Sequence, residues 1–282
     1  MHKPRERLFF GISDMSAWKF AGINMLNVLE LLHDKRMVHG RAMQQLLWDL
    51  FDNTWTPGND LTYTILNTYE DQGYIRSYWD EDDDPEKRYI RKYRITDSGV
   101  EYLKTLKSSF IDTLEHMQKV FNISLHYNWN DVLPQDITES ESADLMSSSN
   151  FTALNFLTLL YKHKRTSSSW LYAKEMQNKL SFEFNGLWKP SDGVLYPLLS
   201  RFNTKGYLYS RWTESGKKRT VREYIITDKG EAYLSELLSP ASGLKNKLLQ
   251  LEKLCLKSRE FLSGNKTANV SQVITILDRQ AG

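Results

Sequence analysis

The chain has 282 residues, of which 40% are hydrophobic and 12% aromatic, a composition that supports packed cores and excludes a disordered polymer. Its one cysteine excludes an intrachain disulfide, and its strongest apolar run, residues 154–161, is far shorter than the ~20 residues of a membrane span. The net charge of +2 combines an acidic half, with 16 Lys and Arg against 24 Asp and Glu in residues 1–150, and a basic half, with 21 against 11 in residues 151–282.

Three helices are predicted first. One apolar stripe marks the first helix, at Met25, Leu26, Leu29 and Leu32. The run HGRAMQQLLWDLF (39–51) predicts a second amphipathic helix, and LTYTILNTY (61–69) predicts a third, capped by Asn59 or Asp60 and ended by Gly73. In the third helix the residues expected to face inward are Leu61, Ile65 and Leu66, and those expected to face outward are Thr62, Thr64 and Thr68.

A hairpin and a long helix follow. The runs YIRSYW (74–79) and RYIRKYRI (88–95) predict two paired strands around the acidic tip DEDDDP. Thr96 or Asp97 then caps a helix to about residue 122, whose apolar stripe requires a helical partner. The order helix, helix, helix, hairpin, helix defines a winged helix, in which the third helix can enter the DNA major groove and the hairpin is the wing.

This module occurs twice. Residues 55–79 align without gaps onto residues 188–212, at an offset of 133, with eight identities in 25 positions. Residues 93–103 align onto residues 224–234, at an offset of 131, with seven identities in 11. The change of offset predicts a two-residue length difference at the wing tip, where length changes are tolerated. In the second copy Ser239-Pro240 interrupts the last helix, and a new helix is predicted over residues 241–263.

The predicted domains are a winged-helix repeat over residues 1–127, an acidic, serine-rich linker over 128–149, a second repeat over 150–264 and a tail over 265–282. The predicted fold class is α+β, mainly helical. Tandem winged helix-turn-helix domains are expected to pack their long C-terminal helices together as an intramolecular pseudo-dimer. The sequence does not decide whether the tail is ordered.

The second copy consists of the run WKPSDGVLYPLLSRFNTKGYLYSRW, then a basic wing, then the run YIITDKGEAYL. This pattern resembles the PadR family of bacterial transcription regulators. His39-Gly40 also matches the start of the family's second helix. The first copy departs from the family pattern at Gly58, Asp60 and Thr64. The resemblance implies a DNA-binding regulator, usually a repressor, that dimerises through C-terminal helices. Two winged helices in one chain depart from the family's single copy, so a monomeric pseudo-dimer and a homodimer both remain open.

By this resemblance, the first turn of each third helix contacts base edges and phosphates. The nominated residues are Lys189, Ser191, Asp192 and Tyr196 in the second repeat, and Asn59, Thr62 and Tyr63 in the first. Two alternatives to DNA contact remain open. One is that the tyrosines pack in the core with only their hydroxyls exposed. The other is that Ser191 and Asp192 serve only as helix caps.

The second wing carries the cations Lys217, Lys218, Arg219 and Arg222, which suit phosphate contact or the minor groove. Five consecutive acids in the first wing would repel phosphates. Past its tip lie Arg88, Arg91 and Arg94, which could face DNA only if the tip bends away. The first repeat is therefore a second DNA-binding head, a structural pseudo-subunit or a protein-binding surface. Four repeated tryptophans are expected in the core, anchoring the wings, rather than in a ligand site: Trp55, Trp79, Trp188 and Trp212.

The sequence has no nucleotide-binding or metalloprotease motif, and its six histidines show no ligand spacing. We therefore predict no enzyme, no cofactor and no metal. The predicted function is a cytoplasmic, nucleoid-associated regulator, without a membrane partner, that binds a palindromic or pseudo-palindromic site in double-stranded DNA. Half-sites about one helical turn apart would follow from the pseudo-dimer. The alternative is a protein-interaction or assembly module, motivated by the acidic first repeat.

Overall fold

The computed structural model describes residues 17–33, 35–80, 89–129, 148–167, 169–215, 219–239 and 243–281. These residues form two successive copies of one arrangement of helices and strands. The first copy contains α1 (Ala17–Leu31), β1 (Val38–His39), α2 (Gly40–Leu50), α3 (Asn59–Asp71), β2 (Ile75–Asp80), β3 (Ile90–Ile95) and α4 (Asp97–Trp129). The second contains α5 (Ser148–Ser167), β4 (Leu171–Tyr172), α6 (Ala173–Glu183), α7 (Asp192–Thr204), β5 (Leu208–Ser215), β6 (Arg219–Ile226) and α8 (Asp228–Leu238). Two further helices follow, α9 (Leu244–Ser263) and α10 (Lys266–Ala281).

Each copy has one small antiparallel sheet. The strand orders are β1-β3-β2 and β4-β6-β5, and the hairpins have equivalent registers, with Ser77 opposite Tyr93 and Ser210 opposite Tyr224. The predicted α+β fold of tandem winged helices is therefore confirmed. Equivalent residues are 133 positions apart in the elements from β1 and β4 through β2 and β5. They are 131 positions apart from the ends of β3 and β6 onward. The two-residue length difference therefore lies in the wing tip.

The chain divides into two compact units. The first-repeat unit comprises Ser16–Glu115 together with Lys253–Gly282, and the second-repeat unit contains His116–Glu252. The second half of α4 thus belongs to the second-repeat unit. The second half of α9 and all of α10 belong to the first-repeat unit.

In the first-repeat unit, α1 is buried and its polar side chains are satisfied by later helices. The Ser258 hydroxyl donates to Asn24 Oδ1 at 3.0 Å, and Lys107 Nζ donates to Asn27 Oδ1 at 3.0 Å. These bonds matter because a buried polar group without a partner destabilises the fold. In the same unit, the Trp55 ring packs edge to face against the rings of Phe20 and Phe51.

The second-repeat unit repeats this core. Asn155 of α5 accepts at Oδ1 from the Ser124 hydroxyl at 2.9 Å and from Asn128 Nδ2 at 2.7 Å, both in the second half of α4. An equivalent aromatic cluster contains Phe151, Phe184 and Trp188. The helix α4 extends beyond the predicted residue 122, because Leu125 and Tyr127 are also buried. The linker predicted after it lies mostly outside the described residues.

The hairpin of each repeat is fixed to the helix that follows. Thr96 accepts from Gly99 N at 3.1 Å and so caps α4, as predicted. A Cβ at Gly99 would lie 2.1 Å from the Tyr74 carbonyl oxygen, and one at Gly230 would lie 2.2 Å from that of Tyr207. Only glycine allows this close approach. The position of each wing is therefore set by a backbone contact that the two repeats share.

The C-terminal region contains two helices. The predicted break at Ser239-Pro240 is confirmed, since α8 ends at Leu238 and α9 begins at Leu244. The tail, whose order the sequence left undecided, forms α10. Its apolar residues Val270, Val273, Ile276 and Leu277 are buried.

Candidate nucleic-acid interface

The third helix of each winged helix presents a tyrosine to solvent. Tyr63 of α3 is 42% exposed and Tyr196 of α7 is 53% exposed. A Cβ at Gly40 would lie 2.8 Å from the Tyr63 ring, so the glycine of the His39-Gly40 pair makes room for that ring at the start of α2. Both tyrosines are therefore surface residues available to a ligand, and Tyr63 is seated on the start of α2.

The start of α7 is an open helix N-terminus. Ser191 is the N-cap, but its side chain makes no capping hydrogen bond. Asp192 accepts from Gln177 Nε2 at 2.6 Å, and Lys189 Nζ donates to Asn178 Oδ1 at 3.2 Å. All three predicted residues are exposed. Free backbone N–H groups at such an end favour anions, whereas the Asp192 carboxylate opposes them.

The start of α3 differs from the prediction. Its N-cap is Gly58, without a side-chain cap, rather than Asn59 or Asp60, and Asn59 is an exposed residue of the first turn. Thr62 was expected to face outward, and this is wrong. Its side chain is fully buried, and its hydroxyl donates to the Gly58 carbonyl at 2.9 Å. A buried Thr62 cannot contact DNA.

A glutamine that sequence reasoning missed holds the turn before each third helix. Gln44 Nε2 donates to the Pro57 carbonyl and Gln177 Nε2 donates to the Pro190 carbonyl, each at 2.9 Å. Gln44 also donates to the Thr62 hydroxyl at 3.1 Å. The signal was present in the sequence, because the two glutamines occupy equivalent positions at the offset of 133.

Only part of the predicted basic wing is described. Lys217 and Lys218, like Arg88 in the first wing, lie outside the described residues, and Arg219 is described only as the first residue of β6. Arg222 lies within β6. Its guanidinium donates to the Ser210 hydroxyl from Nε at 3.1 Å and from Nη2 at 2.9 Å, and it lies over the rings of Trp212 and Tyr224.

The tryptophan prediction is correct for one pair and wrong for the other. Trp55 and Trp188 are buried in the two cores, as expected. Trp79 is 65% exposed and Trp212 is 68% exposed, because they lie on the distal half of each hairpin, beyond the helices that cover its base. Each exposed indole lies beneath a wing arginine, with Arg91 at 5.7 Å and Arg222 at 5.8 Å from the ring centroid.

The hairpin and the third helix of each repeat meet around a buried tyrosine. Burial raises the pKa of Tyr93, and Arg91, Glu70 and Tyr63 act on it as charged or polar neighbours. Burial likewise raises the pKa of Tyr224, which lies near Arg222 and Tyr196. Both phenols are therefore neutral near pH 7. In each repeat, an exposed tyrosine of the third helix and a wing arginine thus both act on one buried, neutral phenol.

The third helices and hairpins define the chain as a tandem winged-helix protein, mainly helical with two three-stranded sheets. Residues 28–105 and 167–236 match the family described as Transcriptional regulator PadR-like, and these two segments cover more than half of the chain. The chain belongs to this family, whose members regulate transcription and are not enzymes. The two matched segments confirm the prediction of two PadR-like repeats.

Other comparisons add no relatives: no curated protein and no solved structure matches the chain. In the described part of the chain, no helix has the length and apolar character of a membrane span. Within the same residues, no cluster of His, Cys, Asp and Glu is suited to a metal ion.

Proposed function

We propose that this regulator binds double-stranded DNA through α7 and the second wing, with α3 and the first wing as the equivalent elements of the first repeat. The observation that carries the proposal is the solvent exposure of Tyr196 on α7, in the same winged helix as the wing residue Arg222 of β6. A third helix reads bases in the major groove, and wing cations contact phosphates or the minor groove. Such a regulator acts at the nucleoid, and by family resemblance it acts as a repressor.

The proposed contacts are exposed residues, apart from the half-buried Arg222 and the wing cations that are proposed from the sequence. In the second repeat they are Lys189, Ser191, Asp192, Tyr196 and Arg222, with Lys217, Lys218 and Arg219 proposed from the sequence. In the first repeat they are Asn59 and Tyr63, with Arg88 proposed from the sequence. Thr62 is not among them.

The proposed DNA site has two unlike halves. Equivalent exposed positions of the third helices differ, with Asn59 matched by Asp192 and Asn67 by Ser200. Different side chains favour different base edges, so we expect a pseudo-palindrome rather than a perfect palindrome. The intramolecular pseudo-dimer, with half-sites about one helical turn apart, remains part of this proposal.

The test is the salt dependence of DNA binding. Changing Lys217, Lys218 and Arg219 to Ala should weaken binding to duplexes of every sequence, and should reduce the slope of log K against log salt by about 0.9 for each phosphate that the wing no longer neutralises. Fluorescence anisotropy with a labelled duplex of mixed sequence measures both quantities.

The matched control changes Lys245, Lys247 and Lys253 of α9 to Ala, which removes the same charge from a helix outside the wing. Equal slopes for the two triple variants would contradict the proposed role of the wing. Failure of the unmodified protein to bind any duplex at low salt would contradict the proposed function itself.

A protein-interaction role for the first repeat is the second candidate. It is favoured by the acidic residues of α3, which are Asp60, Glu70 and Asp71, and by the five acids of the adjoining wing. If the first repeat binds only protein, Asn59→Ala and Tyr63→Ala will leave the affinity for duplex DNA unchanged, while Lys189→Ala and Tyr196→Ala weaken it.

A further inference from the structure

Equivalent arginines lie on the two wings. Arg91 of β3 and Arg222 of β6 each donate from Nε to a serine of the neighbouring strand, Ser77 at 2.9 Å and Ser210 at 3.1 Å. Each also lies over the exposed indole of its own hairpin. The shared geometry makes the two arginines direct counterparts, so a difference in their partners is a difference between the repeats.

In the first repeat, a carboxylate of the third helix neutralises the wing arginine. Arg91 Nη2 donates to Glu70 Oε2, and Arg91 Nη1 lies 3.4 Å from Asn67 Oδ1. Glu70 Oε1 also accepts from Ser77 N at 3.0 Å. This second bond fixes the carboxylate in place, so the ion pair does not depend on two loose side chains.

In the second repeat, the residue equivalent to Glu70 is Asn203, which carries no charge. Within the described ranges, no carboxylate lies within ion-pair distance of Arg222. The neighbouring Glu223 pairs instead with Arg211, at 2.9 Å. Among the described residues, the guanidinium of Arg222 therefore has no carboxylate partner to offset its positive charge.

The two arginines differ in how readily they can bind a phosphate. A phosphate that approaches Arg91 must displace a carboxylate held by charge-assisted hydrogen bonds, and it also meets the negative charge of that carboxylate. A phosphate that approaches Arg222 meets neither obstacle. The helix surfaces agree with this contrast, since α7 bears the exposed Arg201 where α3 bears Thr68.

We propose that Glu70 suppresses DNA binding by the first repeat, and that Asn203 leaves the second repeat as the principal DNA-binding head. The chain then binds its site unequally, with most of the salt-dependent affinity coming from one half-site. This inference rests on the proposed function, because it assumes that the wings contact duplex DNA.

The test exchanges charge at the two equivalent positions. Asn203→Glu places a carboxylate near Arg222, and Asn203→Gln adds the same length without charge. We expect the Glu variant to bind a labelled duplex of about 30 base pairs about tenfold more weakly than the Gln variant, the effect of removing one charge-assisted hydrogen bond to a phosphate. Its salt slope should also be smaller.

The reciprocal change is Glu70→Gln, which keeps the side-chain shape and releases Arg91. We expect tighter binding and a larger salt slope than in the unmodified protein. This variant adds no charge to an interface, so it keeps the inference testable if Asn203→Glu unfolds. Thermal unfolding of all three variants identifies any loss of fold.

The outcomes separate the two proposals. If the duplex still binds but the Glu and Gln variants at 203 are equal, or Glu70→Gln changes neither affinity nor slope, the inference is overturned and the proposed function stands. If the unmodified protein binds no duplex at low salt, both are overturned. Weaker binding by Asn203→Glu together with tighter binding by Glu70→Gln supports the inference.

Discussion

At the scale of single residues, His39 shows how one side chain sets the start of a helix. Its imidazole is the N-cap of α2, and Nδ1 accepts from Ala42 N at 3.2 Å. Only a nitrogen without a proton can accept this bond. Burial lowers the pKa of His39 from 6.5, and the positive charges of Lys92 and Arg41 lower it further. The folded state therefore holds the neutral form.

This linkage predicts a pH dependence of stability. Because the folded pKa lies below the unfolded value of 6.5, the stabilisation from His39 is complete above pH 6.5 and is lost as the pH falls towards the folded pKa. Urea midpoints at about pH 7.5 and about pH 5.5 measure the loss. His39→Ser retains a capping side chain that does not titrate, so its midpoint should fall less on acidification. Equal falls in the two proteins would show that His39 does not contribute.

At the scale of elements, the turn between the second and third helices determines how the third helix is presented. Gln177 is buried and joins α6 to both Pro190 and Asp192, while Gln44 makes the equivalent bond to Pro57. Removing either amide leaves a carbonyl oxygen without its partner. We expect Gln177→Ala and Gln44→Ala each to lower the free energy of unfolding by about 1–3 kcal/mol.

The two glutamine variants should differ in DNA binding. If the second repeat is the principal DNA-binding head, Gln177→Ala disturbs the DNA-binding helix α7 and weakens duplex binding. Gln44→Ala then weakens duplex binding less, although it lowers the free energy of unfolding by a similar amount. Anisotropy titrations on the same labelled duplex, with unfolding midpoints measured in parallel, make the comparison. A larger loss of affinity in Gln44→Ala would point to the first repeat instead.

The elements were predictable because two independent signals agree. Hydrophobic periodicity identifies the helices and strands, and the repeat requires the two copies to fold alike. The left-handed glycine at the end of each third helix also followed from the sequence, with φ of 75° at Gly73 and 74° at Gly206. Helix ends were predicted less well. Because polar side chains are the commoner caps, the sequence predicts Asn59 or Asp60 as the cap of α3, whereas the cap is Gly58.

The interface was less predictable because exposure depends on tertiary neighbours. The polarity of Thr62 predicts an outward-facing residue, but its equivalent in the second repeat is the apolar Leu195, and both are buried. The hydrophobicity of Trp79 and Trp212 predicts core residues, but both lie exposed on the distal half of their hairpins. The pair formed by Glu70 and Arg91 joins residues 21 positions apart, an interaction that no local pattern in the sequence indicates.

At the scale of the whole molecule, duplication has allowed the two repeats to diverge while the fold is kept. The shared features are backbone contacts and core clusters, such as the stacked pairs Tyr74–Tyr102 and Tyr207–Tyr233. The differences lie in exposed charges, with the acids concentrated in residues 1–150 and the cations in residues 151–282. Surface charge affects folding little and polyanion binding strongly. One copy can therefore lose affinity for DNA without loss of structure.

Because α10 belongs to the first-repeat unit, we expect this C-terminal helix to stabilise that unit. Although α10 follows the second repeat in sequence, it belongs to the first-repeat unit and contacts α1 and α2. Deleting residues 266–282 removes four buried apolar side chains from that unit, those of Val270, Val273, Ile276 and Leu277. We expect the first-repeat unit to lose on the order of 5 kcal/mol of stability, since each buried aliphatic side chain contributes about 1.5–3 kcal/mol before relaxation.

Hydrogen exchange measured by mass spectrometry locates this loss along the chain. Amides of α1 and α2 should exchange much faster in the truncated protein, while those of α5 and α6 keep their protection, because amide protection follows the stability of the local cooperative unit. The control substitutes Ala for Gln272 and Thr275, which are exposed on α10, and leaves its apolar face intact. Equal deprotection of both units would mean that the chain unfolds as one cooperative body. Unchanged exchange in α1 and α2 would mean that α10 contributes nothing to the first-repeat core.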